Sequence, residues 1–281
     1  MFDRILSFKN KKPSIHNGEK PIADVTVVLN IWKRKYLKEQ LAALHAQTMI
    51  PANIWIVHYE NHVPVTKTLK HHPEINYFHS TNNLKYFGRF SIGSHINTEY
   101  TWILDDDIVP SPTWLETCLR TCDAHRAIVC CNGRIIDRND YTPELAKTPD
   151  YLNIHFIGDA RPPHPANHCL SDTLVDYGCS SFFFKTEWIK HFWSIWPATF
   201  QTGEDMHLSA ACKIRAGIRT IVPRQLSIAD SGNIKPEYSS DEHASWTKQG
   251  FIGQRRDVLK YLIDEQGWLP MAWEEPLAAI R

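Results

Sequence analysis

The sequence has no surplus of charge of either sign. Lysine plus arginine number 31 and aspartate plus glutamate number 31 in a chain of 281 residues. That balance excludes the broad basic face of a DNA- or RNA-binding protein, although a local basic patch can still hold phosphates. Long apolar runs are missing too. None approaches the ~18–20 residues of a membrane span, and Asp3 and Arg4 break the apolar start too early for a signal-peptide core. A soluble, cytoplasmic protein is expected. The seven cysteines contain no C-x2-C pair, and their spacing is not that of a secreted disulfide scaffold. Buried thiols in a reducing compartment are the expectation, with Cys118 and Cys122 one helical turn apart. The absence of GxxxxGK[ST] excludes a P-loop enzyme, and the absence of GxSxG leaves a serine hydrolase without support. There is no internal repeat and no low-complexity segment.

What is present suits one large α/β unit. A chain of this length buries enough surface to fold without a metal or disulfide staple. After a polar tail at 1–22, β-branched residues at 25–32 read as a strand buried on both faces. A helix follows at 36–47, then strands at 53–61 and 75–80, a helix at 87–97 and a strand at 100–107. This alternation predicts a mostly parallel central sheet with helices on both faces. Ser111-Pro112 starts a helix running to about 122. Strands are expected at 127–136, 175–185 and 219–226, and helices at 187–196, 202–216 and 254–265. Gly217 and Gly267 are their stops. Two stretches read as loops, 138–172 and 230–250, and loops this long in a compact domain are usually functional.

Two motifs carry chemistry. Asp105-Asp106-Asp107 follows the apolar strand Trp102-Ile103-Leu104. Strand alternation puts Asp105 and Asp107 on one side, and ligands in open α/β sheets bind beyond the carboxyl ends of strands. Adjacent carboxylates repel unless a cation neutralises them, and hard oxygen donors suit Mg2+ or Mn2+. An acidic turn capping the next helix is the alternative. The second motif is Gly203-Glu204-Asp205 at a helix start. Thr202-x-x-Asp205 has the form of a capping box; the other reading is a carboxylate aimed into a cleft as general base. His164 and His168-Cys169 give a weak hint of zinc.

Taken in order, VTVVLNIWKR, IWIVHYEN, Lys85-x-x-Gly88-Arg89, the DDD strand and the GED helix resemble a nucleotide-sugar glycosyltransferase of the GT-A (Rossmann-like) fold. The nearest forms are exostosin-like enzymes of family 64 and compact family-2-like enzymes. The resemblance covers about residues 23–260. It implies a nucleotide-binding half at 23–107 and an acceptor-binding half at 108–281, with a flexible late loop at 230–250. The donor would be a UDP-sugar, of a pentose or an N-acetylhexosamine in view of family 64, and the acceptor a hydroxyl of a glycan or glycoconjugate. Asn30, Trp32, Lys33 and Arg34 fall where the base and ribose are held, and Glu60 where an acid contacts the base. Asn82, Asn83, Lys85 and Arg89 fall at the ribose and diphosphate. Asp105 and Asp106 fall beside the nucleotide, and Asp107, Asp105 and a late histidine, His243, on the Mn2+ or Mg2+ ion. Asp205, with Glu204 beside it, falls at the anomeric carbon, where the GED spelling slightly favours inversion over retention. Lys235, Lys248, Arg255 or Arg256 would supply a late cation, and Trp246 and Trp268 are candidates to stack on a sugar. Rival readings are a degenerate GT-A fold that binds glycans, and a nucleotide-sugar nucleotidyltransferase. The glycine-free loop after the first strand counts against the latter.

Overall fold

The β-branched run expected near the start of the chain lies inside the central sheet. Ile22–Ile31 forms β1, parallel to β2 (Ile50–Tyr59) on one side and to β4 (Tyr100–Leu104) on the other. Val25, Val27, Val28 and Leu29 are fully buried. Such a strand has no polar face, which is why it reads as a continuous apolar run. The computed structural model describes residues 20–136, 156–158 and 169–271. The expected tail up to residue 19, most of the expected loop at 138–172, and both His164 and His168 lie outside the described residues.

Among the described residues nine strands form one sheet in the order β3-β2-β1-β4-β8-β5-β9-β7, with β6 paired to β5. The further strands are β3 (Asn76–Ser80), β5 (Ile128–Arg134), β6 (Phe156–Ile157), β7 (Thr173–Val175), β8 (Tyr177–Lys185) and β9 (Thr220–Val222). β1 to β5 and β9 run one way, and β6, β7 and β8 run against them. The sheet is thus mostly parallel, as expected, with β8 inserted antiparallel at its centre.

The chain steps outward from β1 through α1 (Leu37–Ala46), β2 and α2 (Val65–Leu69) to β3. It then returns through α3 (Gly88–Gly93) to β4 on the far side of β1. Right-handed crossovers in opposite directions put α1 and α2 on one face and α3 on the other. They also open a crevice between the carboxyl ends of β1 and β4, the place where α/β sheets bind ligands. The second half adds α4 (Trp114–His125), α5 (Ile189–Phe192), α6 (Glu204–Ala216) and α7 (Phe251–Lys260). A π-helical turn at Tyr261–Glu265 prolongs α7.

Several elements differ from expectation for local reasons. β4 stops at Leu104, before the acidic triplet, because Asp105 N–H donates to Ser180 O at 3.0 Å and the chain turns, with Ile108 N–H on Asp105 O at 3.2 Å. α4 begins after Ser111-Pro112, and its cap is remote. Gln47 Oε1 accepts Leu115 N–H at 2.9 Å while Gln47 Nε2 donates to Ser111 O at 2.7 Å. α6 has no capping box: its N-cap is Gly203, at φ +85°. A Cβ there would also lie 2.7 Å from Val258 Cγ1 of α7, so only glycine fits the junction. A main core follows the sheet, and a second joins α6 to α7 around Met206, Ala210, Val258, Leu262 and Trp268. Trp268, a candidate sugar platform, is a core residue at 1 % exposure. All seven cysteines are free thiols, six of them buried, in line with the sequence.

Candidate active site

Loops from both halves of the sheet surround one cleft of about 840 Å3 at the crevice beyond β1 and β4. Its floor is the acidic turn. Because the triplet lies in a turn and not in a strand, alternation does not sort its side chains. Arg34, just past β1, donates to Asp106 at 2.7 Å and lies 3.1 Å from Asp107. Its other nitrogens form a fork on Asp241, both at 2.8 Å. Arg89 of α3 takes Asp105 and, at 2.7 Å, Glu204. Gln40 Nε2 of α1 donates to the carbonyls of Asp105 and Ile108 at 2.8 and 2.9 Å and so fixes the turn.

The acids around the turn outnumber the guanidinium groups that pair with them. Asp105, Asp106 and Asp107 on the floor, Glu204 buried behind Arg89 and Asp241 on the late segment contact two guanidinium groups, Arg34 and Arg89. Burial and mutual repulsion push Asp106 up to about 6 and Glu204 up to about 7, against the pull of the arginines. Burial also raises Asp105, although Arg89 opposes it. Hard oxygen donors in excess of cations are what a divalent ion such as Mg2+ or Mn2+ requires, so the residues present fit one. Among the described residues, the ligand atoms of Asp105, Asp107 and His243 do not gather within 4.8 Å of one another. Arg34 stands among the acids in this conformation.

The second acid group is Asp205, in the first turn of α6. Arg255 of α7 donates to both its oxygens at 2.9 Å, and Met206 N–H donates to Oδ1 at 2.7 Å. Asp205 is buried but lines the cleft, as Arg255 does. Its carboxylate faces α7 and the cavity rather than closing a cap.

The late segment covers the cleft through specific contacts. Tyr238 stacks on Tyr36 with centroids 3.7 Å apart, Asp241 takes the Arg34 fork, and Tyr86 shares a hydrogen bond with Ser245. Residues 239, 240 and 243–249 line the cavity. Lys248 sits 5.3 Å from the Trp32 ring centroid, and Lys33 sits 4.4 Å from it. Burial lowers the Lys248 pKa, and repulsion from Lys85, Lys33 and Arg34 lowers it further. Asp106 opposes that repulsion only in part, so the cluster favours an incoming anion.

The model of glycosyl transferase family 2 matches residues 25–193, more than half of the chain. The chain belongs to this family. Solved structures similar to it include S. aureus TarS, at 14% identity over 72% of this chain and 35% of that one, with a TM-score of 0.46. TarS 1–349 in complex with UDP-GlcNAc is similar at 14% identity over 72% and 56%, with a TM-score of 0.45. The chain thus spans about a third to three-fifths of the length of these structures. No curated protein matches it.

The family match covers the switch point and the acidic turn, and stops before α6. Of the residues expected from the sequence, Asn30, Trp32, Arg34, Asn83, Lys85, Arg89, Asp105, Asp106, Asp107, Asp205 and His243 share the cleft. Glu60 is outside the lining: at φ +58° it accepts the Trp32 indole N–H at 2.6 Å and pairs with His62 at 3.0 Å. It orients Trp32 instead of facing the cavity. Glu204 is also outside, buried against Arg89. Arg89 was expected to fork onto a phosphate, but its Nη1 and Nη2 are committed to Asp105 and Glu204. Of the late cations, Lys248 and Arg255 line the cleft, while Lys235 pairs with Glu237 at 3.8 Å. Trp246 lines the cleft and is half-exposed. Sequence reasoning missed Asp241 as the Arg34 partner, Tyr36 and Tyr238 as the clasp, and Cys179, whose thiol lies 3.6 Å from Asp205. The aromatic pair left a trace, because Tyr36 and Tyr238 sit in segments otherwise polar.

Proposed function

We propose that the protein transfers a sugar from a UDP-sugar to a hydroxyl of a glycan or glycoconjugate, with Mn2+ or Mg2+ as cofactor and inversion at the anomeric carbon. One observation carries the reading: an acid-rich turn, a group of mutually repelling cations around Lys248 and a carboxylate oriented by Arg255 open onto one cleft at the sheet's switch point. Trp32, held by Glu60, offers a flat face beside Asn30 for a nucleobase. Lys85 and Lys248 supply the positive charge that a diphosphate needs. Asp107 and Asp105 would hold the divalent ion, which supplies charge neutralisation for the departing diphosphate.

Asp205 takes the proton from the acceptor hydroxyl as that oxygen attacks the anomeric carbon. The proton ends on an Asp205 oxygen, and the bonding pair leaves with the UDP oxygen. Arg255 holds the carboxylate by a two-pronged contact, so its direction is set before the acceptor arrives. One prong must loosen as the hydroxyl docks. The donor sugar would be a pentose or an N-acetylhexosamine.

Calorimetric titration with UDP, with and without Mn2+ and against GDP, tests the donor half. Tight binding of UDP only with metal, lost in Asp107→Ala while the protein stays folded, is the expected result. Equal UDP affinity with and without Mn2+ removes the metal assignment. No binding of either nucleotide removes the transferase reading, and a glycan array then tests for a binding module.

A further inference from the structure

We propose that His45, His72 and Glu74 form a binding site for one divalent transition-metal ion, zinc above all, separate from the cleft. Among the described residues this is the group of three whose ligand atoms lie within 4.8 Å of one another. Its place in the fold is opposite the cleft. His45 is in the last turn of α1, shortly before β2 begins at Ile50, and Glu74 precedes β3, which begins at Asn76. Both therefore lie where the parallel strands start, whereas the cleft lies where they end. The inference does not rest on the glycosyltransferase reading.

The three ligands sit on a scaffold that is already ordered. His72-Pro73-Glu74-Ile75 is a turn closed by Ile75 N–H on His72 O at 3.2 Å, with proline at its second position. His72 N–H donates to Leu69 O at 3.0 Å, and buried Ile75 anchors the turn to the core. α1 is held by buried Leu41 and Leu44, and Lys20 Nζ donates to His45 O at 2.9 Å. His72 Nδ1 lies 3.2 Å from Glu74 Oε1. That is already close to the ~3.3 Å between neighbouring ligand atoms of a tetrahedral site with bonds of about 2.0–2.1 Å.

A simple His72–Glu74 ion pair would account for two of the residues and leave His45 without a reason to be there. The His45 and His72 rings instead face each other at 15°, with centroids 5.5 Å apart. Two imidazoles that close are well placed to share a metal. Two imidazoles and a carboxylate suit zinc and its neighbours, and not Mg2+ or Ca2+. Three protein ligands leave a fourth position for water or for a group from another molecule. The bound ion would clip the end of α1 to the link between α2 and β3.

The test uses the full chain stripped with EDTA and kept in excess Mg2+, which competes for hard-oxygen sites elsewhere in the chain. Zn2+ is titrated by calorimetry, and Co2+ by visible absorption. One equivalent is expected, with the ligand-field bands of low-coordinate cobalt and no thiolate charge-transfer band. His45→Ala and His72→Ala should each weaken Zn2+ binding by more than ~10-fold, with unchanged melting in EDTA. His72→Gln, which keeps a polar side chain, serves as the second variant if His72→Ala melts early. Unchanged Zn2+ affinity in His45→Ala overturns the three-ligand site, and a thiolate band does so by moving the metal to cysteine. UDP binding in these variants should match wild type, so the two readings fail separately.

Discussion

At the scale of single residues, the division of labour between Asp205 and Lys248 is the most direct thing to test. Asp205 has both oxygens on Arg255, so its contribution is directional. Asp205→Asn should leave UDP affinity near wild type and lower turnover by more than ~10²-fold, the usual scale for a positioned base. Normal turnover would reduce the residue to a packing partner of α7. Lys248 is a cation crowded by cations, so an anion should relieve it. Lys248→Ala should weaken UDP by about 10-fold, since a charge-assisted hydrogen bond is worth ~1.5–3 kcal/mol. Uridine, which lacks the diphosphate, should bind equally to both proteins; a parallel loss for uridine would move Lys248 to the base. The acids were legible in the sequence because like charges in a row need a counter-ion, whereas Lys85 and Lys248 came from the resemblance alone, Lys248 as one of four late cations. Asp241 was not legible, because it meets Arg34 across 207 positions of chain, and no local pattern marks such a pair.

At the scale of elements, the strands were legible where they are buried on both faces, and their ends were not. β4 looked three residues longer than it is because its stop comes from Ser180 and Gln40, which are distant in sequence. The capping box, one of two readings of the start of α6, is not formed, because the junction depends on a glycine conformation and on α7. Gly203→Ala should cost about 1–3 kcal/mol in urea denaturation, from a left-handed φ and from contact with Val258. Val258→Ala in the same chain should return the contact part and leave the backbone part, giving a favourable coupling in the double-mutant cycle. Strictly additive losses would remove the contact. α6 also carries a pH dependence. His207 is buried, and its Nε2 lies 2.9 Å from Phe192 O. Burial lowers its pKa, outweighing the carbonyls of Phe192 and Ile195. The unfolded chain then takes up a proton that the folded one refuses. This contribution is full above about pH 6.5 and is lost as the pH falls below it. Asp106 and Glu204, both raised, act in the opposite sense, so the comparison must be with a variant. His207→Gln should show a smaller drop in Tm than wild type between about pH 7.5 and 5.5. Equal drops would assign the effect to other groups.

At the scale of the whole molecule, the alternation of strand and helix made a mostly parallel sheet legible, whereas the strand order and the antiparallel insertion of β8 between β4 and β5 depend on pairings with no local signature. The consequence is that one sheet carries both the acidic turn and the α6 carboxylate, and the late segment has to bridge them. Its contacts include the Tyr36–Tyr238 stack, the Arg34–Asp241 fork and the Tyr86–Ser245 hydrogen bond. Two of these reach residues just after β1, and Arg34 is the guanidinium that also holds Asp106 and Asp107. Arg34 therefore ties the late segment to the acidic turn through one guanidinium. Limited proteolysis measures it. Cleavage within residues 230–250 should slow when UDP and Mn2+ are both present, because the diphosphate adds a partner for Lys248. Tyr238→Ala should be cut faster than wild type without ligand and should regain most of the protection with it. Cutting rates indifferent to UDP and metal would mean that the segment is a fixed wall of the cleft. In that case the Arg34 fork would serve stability alone.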